Sequence, residues 1–124
     1  MNTEINPVIW FEIPVADMER SKAFYEAVFD RKLTIVDLGP RQMAMFPMEM
    51  NVPGIGGALV KEEHFVPSYT GTLIYFSVTD IPGTLNKVVA HKGKELIPMT
   101  SIGEYGFCAY FEDSEGNRIG LHTM

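Results

Sequence analysis

Cysteine is nearly absent: Cys108 is the only one in 124 residues. One thiol permits no internal disulfide and no cysteine cluster for zinc or iron–sulfur. Long apolar runs are missing too. No stretch approaches the roughly 20 residues that span a bilayer, and the opening "MNTEINP" carries neither a basic nor an apolar leader pattern. Basic residues are scarce, with 10 Lys and Arg against 16 Asp and Glu and a net charge of −6. No basic run stands out, so a phosphate-backbone partner is excluded as a first reading. What remains is 46% hydrophobic and 21% charged. That composition builds one compact core and argues against disorder. The expectation is a soluble, cytoplasmic protein without nucleic-acid or membrane partners.

The chain then reads as a repeated order of elements. "VIWFEIPV" (8–15) is β-branched and aromatic, a strand. "ADMERSKAFYEAVF" follows, with Asp17 as N-cap and Met18, Tyr25, Val28 and Phe29 at helical spacing, ending near Asp30. "KLTIVD", "RQMAMF" and "GIGGALVK" read as three short strands, split by Gly39-Pro40 and by "PMEMNVPG". The second half repeats the plan. "GTLIYFSV" is a strand. "DIPGTLNKVVAH" is a helix capped by Asp80, with a stripe of Ile81, Leu85, Val88 and Val89. "KELIPMTS", "GFCAYFED" and "NRIGLHT" are three more strands. At an offset of 63, Ile13 falls on Phe76, Val15 on Val78, Asp17 on Asp80, Met18 on Ile81 and Leu33 on Leu96. The expected fold is α+β: two βαβββ modules, about 5–62 and 70–123, in a single domain spanning 1–124. A split βαβ fold would place two strands after the first helix, where three are counted.

Three strings, "FEIPVADMERSKAFYEAVF", "GGALV" and "YFEDSEGNRIGL", resemble the vicinal oxygen chelate superfamily of glyoxalase, bleomycin-resistance and dioxygenase proteins. The resemblance covers nearly the whole chain. It implies a curved mixed sheet around a cavity with helices on the outer face, and a homodimer. It also implies a divalent metal held by ligands from the first and last strands of the modules. The matching positions here are Trp10, Leu73, Gly120 and Ala58, or Gly57 if the register slips. None offers a side-chain donor for a divalent ion. The expectation is therefore no metal site, no cofactor, and neither a metal-dependent glyoxalase I nor a dioxygenase.

Strand alternation assigns the remaining chemistry. Trp10, Glu12, Leu73, Tyr75, Ser77, Ala58, Val60, Gly120 and His122 fall on the cavity face. Phe107, Ala109 and Phe111 join them if the closing turn pairs Glu112 with Asn117. Cys108 then falls on the helix side, as an inert buried thiol. An aromatic, apolar face with few polar groups suits a small organic ligand. Trp10, Glu12, Leu73, Tyr75, Phe107, Phe111, Gly120 and His122 are the expected ligand-binding residues. Glu12 beside Trp10 is the candidate acid or base, its pKa raised by desolvation, unless it sits at a rim or pairs with Arg118 or a lysine. Gly120 either makes room for a ligand or marks a close backbone approach. His122 is a base, a ligand or a partly exposed tail residue. His64 and His91 read as loop and helix-end residues. Four methionines in "MAMFPMEM" suit a lid, an interface or core filling. Two functions follow as expectations. One is a metal-independent small-molecule-binding protein of the glyoxalase/bleomycin-resistance type. The other is a glyoxalase-like lyase or isomerase working through Glu12.

Overall fold

The computed structural model describes residues 4–124. Asp17 begins the first helix: its carboxylate accepts the Arg20 backbone N–H at 3.0 Å, so an otherwise unpaired amide is satisfied. Asp30 ends it in the left-handed region. Asp80 caps the second helix in the same way, through Gly83 N–H at 3.0 Å. These two caps fix the repeat. The first module runs β1 (Trp10–Pro14), α1 (Met18–Phe29), β2 (Thr34–Asp37), β3 (Arg41–Met45) and β4 (Gly56–Glu62). The second runs β5 (Tyr75–Ser77), α2 (Ile81–Ala90), β6 (Lys94–Ser101), β7 (Phe107–Glu112) and β8 (Arg118–Thr123). A 3-10 turn at Gly103–Tyr105, not expected from the sequence, precedes β7.

Each module makes its own four-stranded mixed sheet. The orders are β1-β4-β3-β2 and β5-β8-β7-β6, with β1 parallel to β4 and β5 parallel to β8. Phe11, Ile13, Ala44 and Leu59 on one sheet, and Phe76, Ala109, Phe111, Ile119 and Leu121 on the other, join Phe24, Tyr25, Leu85 and Val88 of the helices in one core. Phe11 and Phe76 touch edge-on across the two modules, with ring centroids 5.9 Å apart.

A buried polar latch also joins the halves. The loop between β7 and β8 closes through Asp113 N–H to the Asn117 carbonyl at 3.0 Å. Asp113, 1% exposed, accepts from the Tyr25 hydroxyl at 2.6 Å and from Asn117 Nδ2 at 2.9 Å. Asn117 Nδ2 also donates to the Pro14 carbonyl at 2.8 Å. Glu115 accepts the backbone N–H groups of Ala16 and Asp17 and pairs with Arg20 at 2.7 Å. Burial pushes the Asp113 carboxyl up, with hydrogen bonds from Tyr25 and Asn117 opposing it. Burial also pushes Glu115 up, but Arg20 and the two amides outweigh it and hold the carboxyl below its usual range.

That latch corrects part of the sequence reading. Because Asp113 pairs with Asn117, Glu112 falls opposite Arg118 and not opposite Asn117. A one-residue shift exchanges the two faces of a strand. Phe111 is consequently in the core rather than on the inner face, and Phe107 and Ala109 share its side. Cys108, expected on the helix side, joins the inner face with Tyr110 and Glu112. Val89, expected in the buried stripe of α2, is 60% exposed. The two first strands are also shorter than their apolar runs, since pairing with β4 and β8 covers only 10–14 and 75–77.

Candidate functional site

The two sheets leave two inner faces, the ones turned away from the shared core. On the first, Trp10, Glu12, Ala58 and Val60 stand beside Arg41, Met43 and Met45. Glu12 pairs with the Arg41 guanidinium and accepts the indole N–H of Trp10 at 3.2 Å. Arg41 Nε lies 3.5 Å from Glu62. The lone, desolvated carboxylate expected at Glu12 is therefore corrected: its charge is matched, and its partner is Arg41 instead of Arg118 or a lysine. Met43, Ala58 and Val60 are buried beneath Trp10, Val36, Met45 and Phe65. Glu12 stands opposite Ala58 as Tyr75 stands opposite Gly120, so Ala58 rather than Gly57 is the counterpart of Gly120.

The second face is built on β5, β8 and β7. In its central row, Tyr75, Gly120 and Tyr110 lie side by side. Gly120 has a physical reason. A Cβ there would meet the Tyr75 ring at 2.5 Å. Without it the ring lies across β8, and the Tyr75 hydroxyl reaches the Tyr110 hydroxyl at 2.6 Å. Gly120 is thus a close approach, and the space is taken by this chain's own tyrosine. The Cys108 thiol donates to the Tyr110 hydroxyl at 3.6 Å. Hydrogen bonding to Tyr75, then to Cys108, with burial, pushes the Tyr110 hydroxyl far above the usual phenol range. On one side of this row, the Arg118 guanidinium stacks 4.7 Å from the centre of the Tyr110 ring. On the other, His122 stands between Ser77 and Cys108.

His122 Nε2 lies 2.6 Å from the Tyr105 carbonyl. A carbonyl only accepts, so Nε2 carries the proton and the Nδ1 lone pair is left over in the neutral ring. The 3-10 turn makes this contact possible. Gly106, at φ +97°, lets the chain run against the Thr123 carbonyl, where any Cβ would collide. Cys108 and His122 are cross-strand neighbours, yet the thiol bonds to Tyr110, so no thiol–imidazole pair forms.

The predicted site residues are therefore split. Trp10 and Glu12 lie on the first face, and Tyr75, Gly120 and His122 on the second. Leu73 is half-buried just before β5, and Phe107 and Phe111 belong to the opposite side. On the second face, the two tyrosines, the thiol and Arg118 make a continuous cluster. Tyr110 and Cys108 were not placed on this face. The register of one turn, which alternation alone does not supply, would have found them.

A third feature is a cleft of about 870 Å³ along the free edge of β5, between the modules. Phe11, Phe29, Phe46 and Phe76 line it, with Tyr75 and Ser77 on one wall and Arg31 and Lys87 among its other residues.

A family profile described as the glyoxalase/bleomycin resistance protein/dioxygenase superfamily matches residues 7–121. The chain belongs to that superfamily. Similar solved structures share the fold at low identity. A glyoxylase/bleomycin resistance protein/dioxygenase domain from Frankia sp. superposes with a TM-score of 0.74 at 14% identity, covering 96% of this chain and 98% of that one. A genomically encoded fosfomycin resistance protein from Listeria monocytogenes gives 0.70 at 15%, covering 97% and 92%. Glyoxalase I from Zea mays gives 0.68 at 18%, covering 94% of this chain but only 46% of the maize protein, so this chain spans less than half its length. A search of curated proteins returns no match.

The fold family implies a metal, and the residues present do not fit one. Trp10, Ala58, Leu73 and Gly120 supply no donors. Glu12 and His122, the nearest alternatives, sit on different sheets, and each already has a partner. Among the described residues, no three of His, Cys, Asp and Glu gather so as to hold an ion. No helix among them is long and apolar enough to cross a membrane.

Proposed function

We propose that the chain is a metal-independent small-molecule-binding protein that acts as a homodimer, its two modules (about 5–62 and 70–123) forming one domain. The observation that carries this reading is the aromatic-lined cleft beside β5. Its volume of about 870 Å³ falls in the range of organic ligand sites, roughly 300–1,000 Å³. Four phenylalanines supply apolar walls, and Tyr75 and Ser77 are among the other lining residues. An interaction module with no ligand would have filled this space with its own side chains. The rival reading, a lyase or isomerase using Glu12, is weakened by the Arg41 and Trp10 contacts that occupy that carboxylate.

Native mass spectrometry of freshly purified protein tests the proposal. The expected result is a metal-free dimer that carries a small organic adduct or gains one from a metabolite screen. A stoichiometric divalent ion, or a screen in which nothing binds, would overturn it.

A further inference from the structure

Arg118 is a cation without a counter-ion. The chain carries six more acidic than basic residues, so carboxylates are plentiful. Glu112 stands directly opposite Arg118 on β7. Yet Glu112 accepts from the Tyr69 hydroxyl instead, and among the described residues Arg118 makes neither an ion pair nor a hydrogen bond. Its one recorded contact is the face of Tyr110. Arg41 pairs with Glu12 and Arg20 with Glu115; several surface lysines lack such a partner too, but Arg118 alone among the described cations lies over an aromatic ring.

The Cys108 thiol donates to Tyr110. Either hydroxyl of Tyr75 and Tyr110 can donate across their 2.6 Å contact, and in both orientations one phenolic proton of the pair has no acceptor among the described residues. Tyr75 is 49% exposed. The inner face therefore presents a guanidinium over the Tyr110 ring and one free phenolic O–H of the Tyr75–Tyr110 pair. Ile97, opposite Tyr110 on β6 and 40% exposed, supplies apolar surface next to them.

We propose that this face is an anion anchor, in which Arg118 and the Tyr75–Tyr110 hydroxyl pair hold the carboxylate of a small, flat organic acid. The inference rests on the small-molecule reading above and names a ligand's chemical class; Tyr75 is common to the two places, and Arg118 and Tyr110 lie outside the cleft lining. A planar guanidinium matches the two coplanar oxygens of a carboxylate. Stacking on Tyr110 holds the fork in one plane before the ligand arrives, which lowers the ordering cost of binding. The Tyr110 proton stays on its oxygen, so the donor chain persists at neutral and mildly alkaline pH.

The test is an NMR titration of 15N-labelled full-length protein with benzoate, benzyl alcohol and inorganic phosphate in parallel. Benzoate should produce saturable shifts at the amides of Tyr110, Arg118 and Gly120, and the other two probes should not. Arg118→Met, with a spectrum otherwise superimposable on the wild type, should weaken benzoate by about tenfold to a hundredfold. Tyr75→Phe, which keeps the ring over Gly120, should weaken it by a smaller factor. Equal benzoate affinity in Arg118→Met would overturn the inference, as would no saturable shift or a preference for phosphate. Benzyl alcohol binding as tightly as benzoate would remove the anchor and leave the small-molecule reading standing.

Discussion

The two inner faces share one backbone plan and differ in what their charges do. On the first, Glu12, Arg41 and Glu62 answer one another, with the Trp10 indole hydrogen-bonded to Glu12. On the second, β8 carries Arg118, which has no ion pair among the described residues, and the face holds a pair of tyrosines with a proton to spare. Duplication supplied two copies of the same concave surface. One has been closed by its own side chains, and the other has kept groups free for something else. Positions equivalent in the repeat therefore need not be equivalent in role: Glu12 and Tyr75 correspond in register, yet the first is committed and the second exposed.

The comparison holds only if the modules are fixed to each other, and the largest expected effect lies there. Asp113→Ala strips the Tyr25 hydroxyl and Asn117 of their shared acceptor in a fully buried position. Leaving such groups unpaired costs about 1–3 kcal/mol each, so a total loss of about 3–5 kcal/mol is expected in urea unfolding. A loss below about 1 kcal/mol would mean that the apolar core alone holds the halves together.

Most of the architecture was legible because its signals are local. Asp17 and Asp80 announce their helices through cap chemistry, and the offset of 63 exposes the repeat. β6 was read at its true bounds, 94–101. The site was less legible because it depends on registers between distant residues. Glu12 was marked, but its partner Arg41 lies 29 residues away, on a strand whose alignment the sequence does not set. Phe107 and Phe111 went to the wrong face through a single residue of turn geometry, and Tyr110 was not placed inward for the same reason. The meaning of Gly120 emerged only with the Tyr75 ring lying across it.

The sharpest contrast between the faces is a pair of matched substitutions. Arg41→Met leaves Glu12 partly buried without its guanidinium. Hydrogen bonds to charged groups are worth about 1.5–3 kcal/mol, and the partial exposure of this pair places the expected loss near 1.5 kcal/mol. Arg118→Met removes only a stacking contact, worth under about 1 kcal/mol at a site open to water. Chemical denaturation of the two variants side by side measures the difference. Equal losses would erase the distinction between a structural and an available arginine.

The smallest effect is a pH dependence that belongs to the latch alone. Glu115 has a folded-state pKa below its unfolded value. Its contribution is therefore fully present above an unfolded pKa of about 4.3 and is lost as pH falls through the lower folded value. Asp113 has the opposite sign. Its folded pKa is raised, so its term is present below an unfolded value of about 3.9 and is lost as pH climbs through the folded one. The two partly cancel in the wild type, which makes the raw acid profile uninformative. Subtracting the Glu115→Gln variant isolates the Arg20 pair. The stability difference should be about 1 kcal/mol at pH 6, given that Arg20 is solvent-facing. It should shrink steadily below pH 4 and approach zero near pH 2. A difference that stays constant over that range would show that Glu115 acts through the shape of its hydrogen bonds to Ala16 and Asp17, which a neutral glutamine preserves in part, and not through its charge. The latch would then resemble the first face in geometry but not in electrostatics.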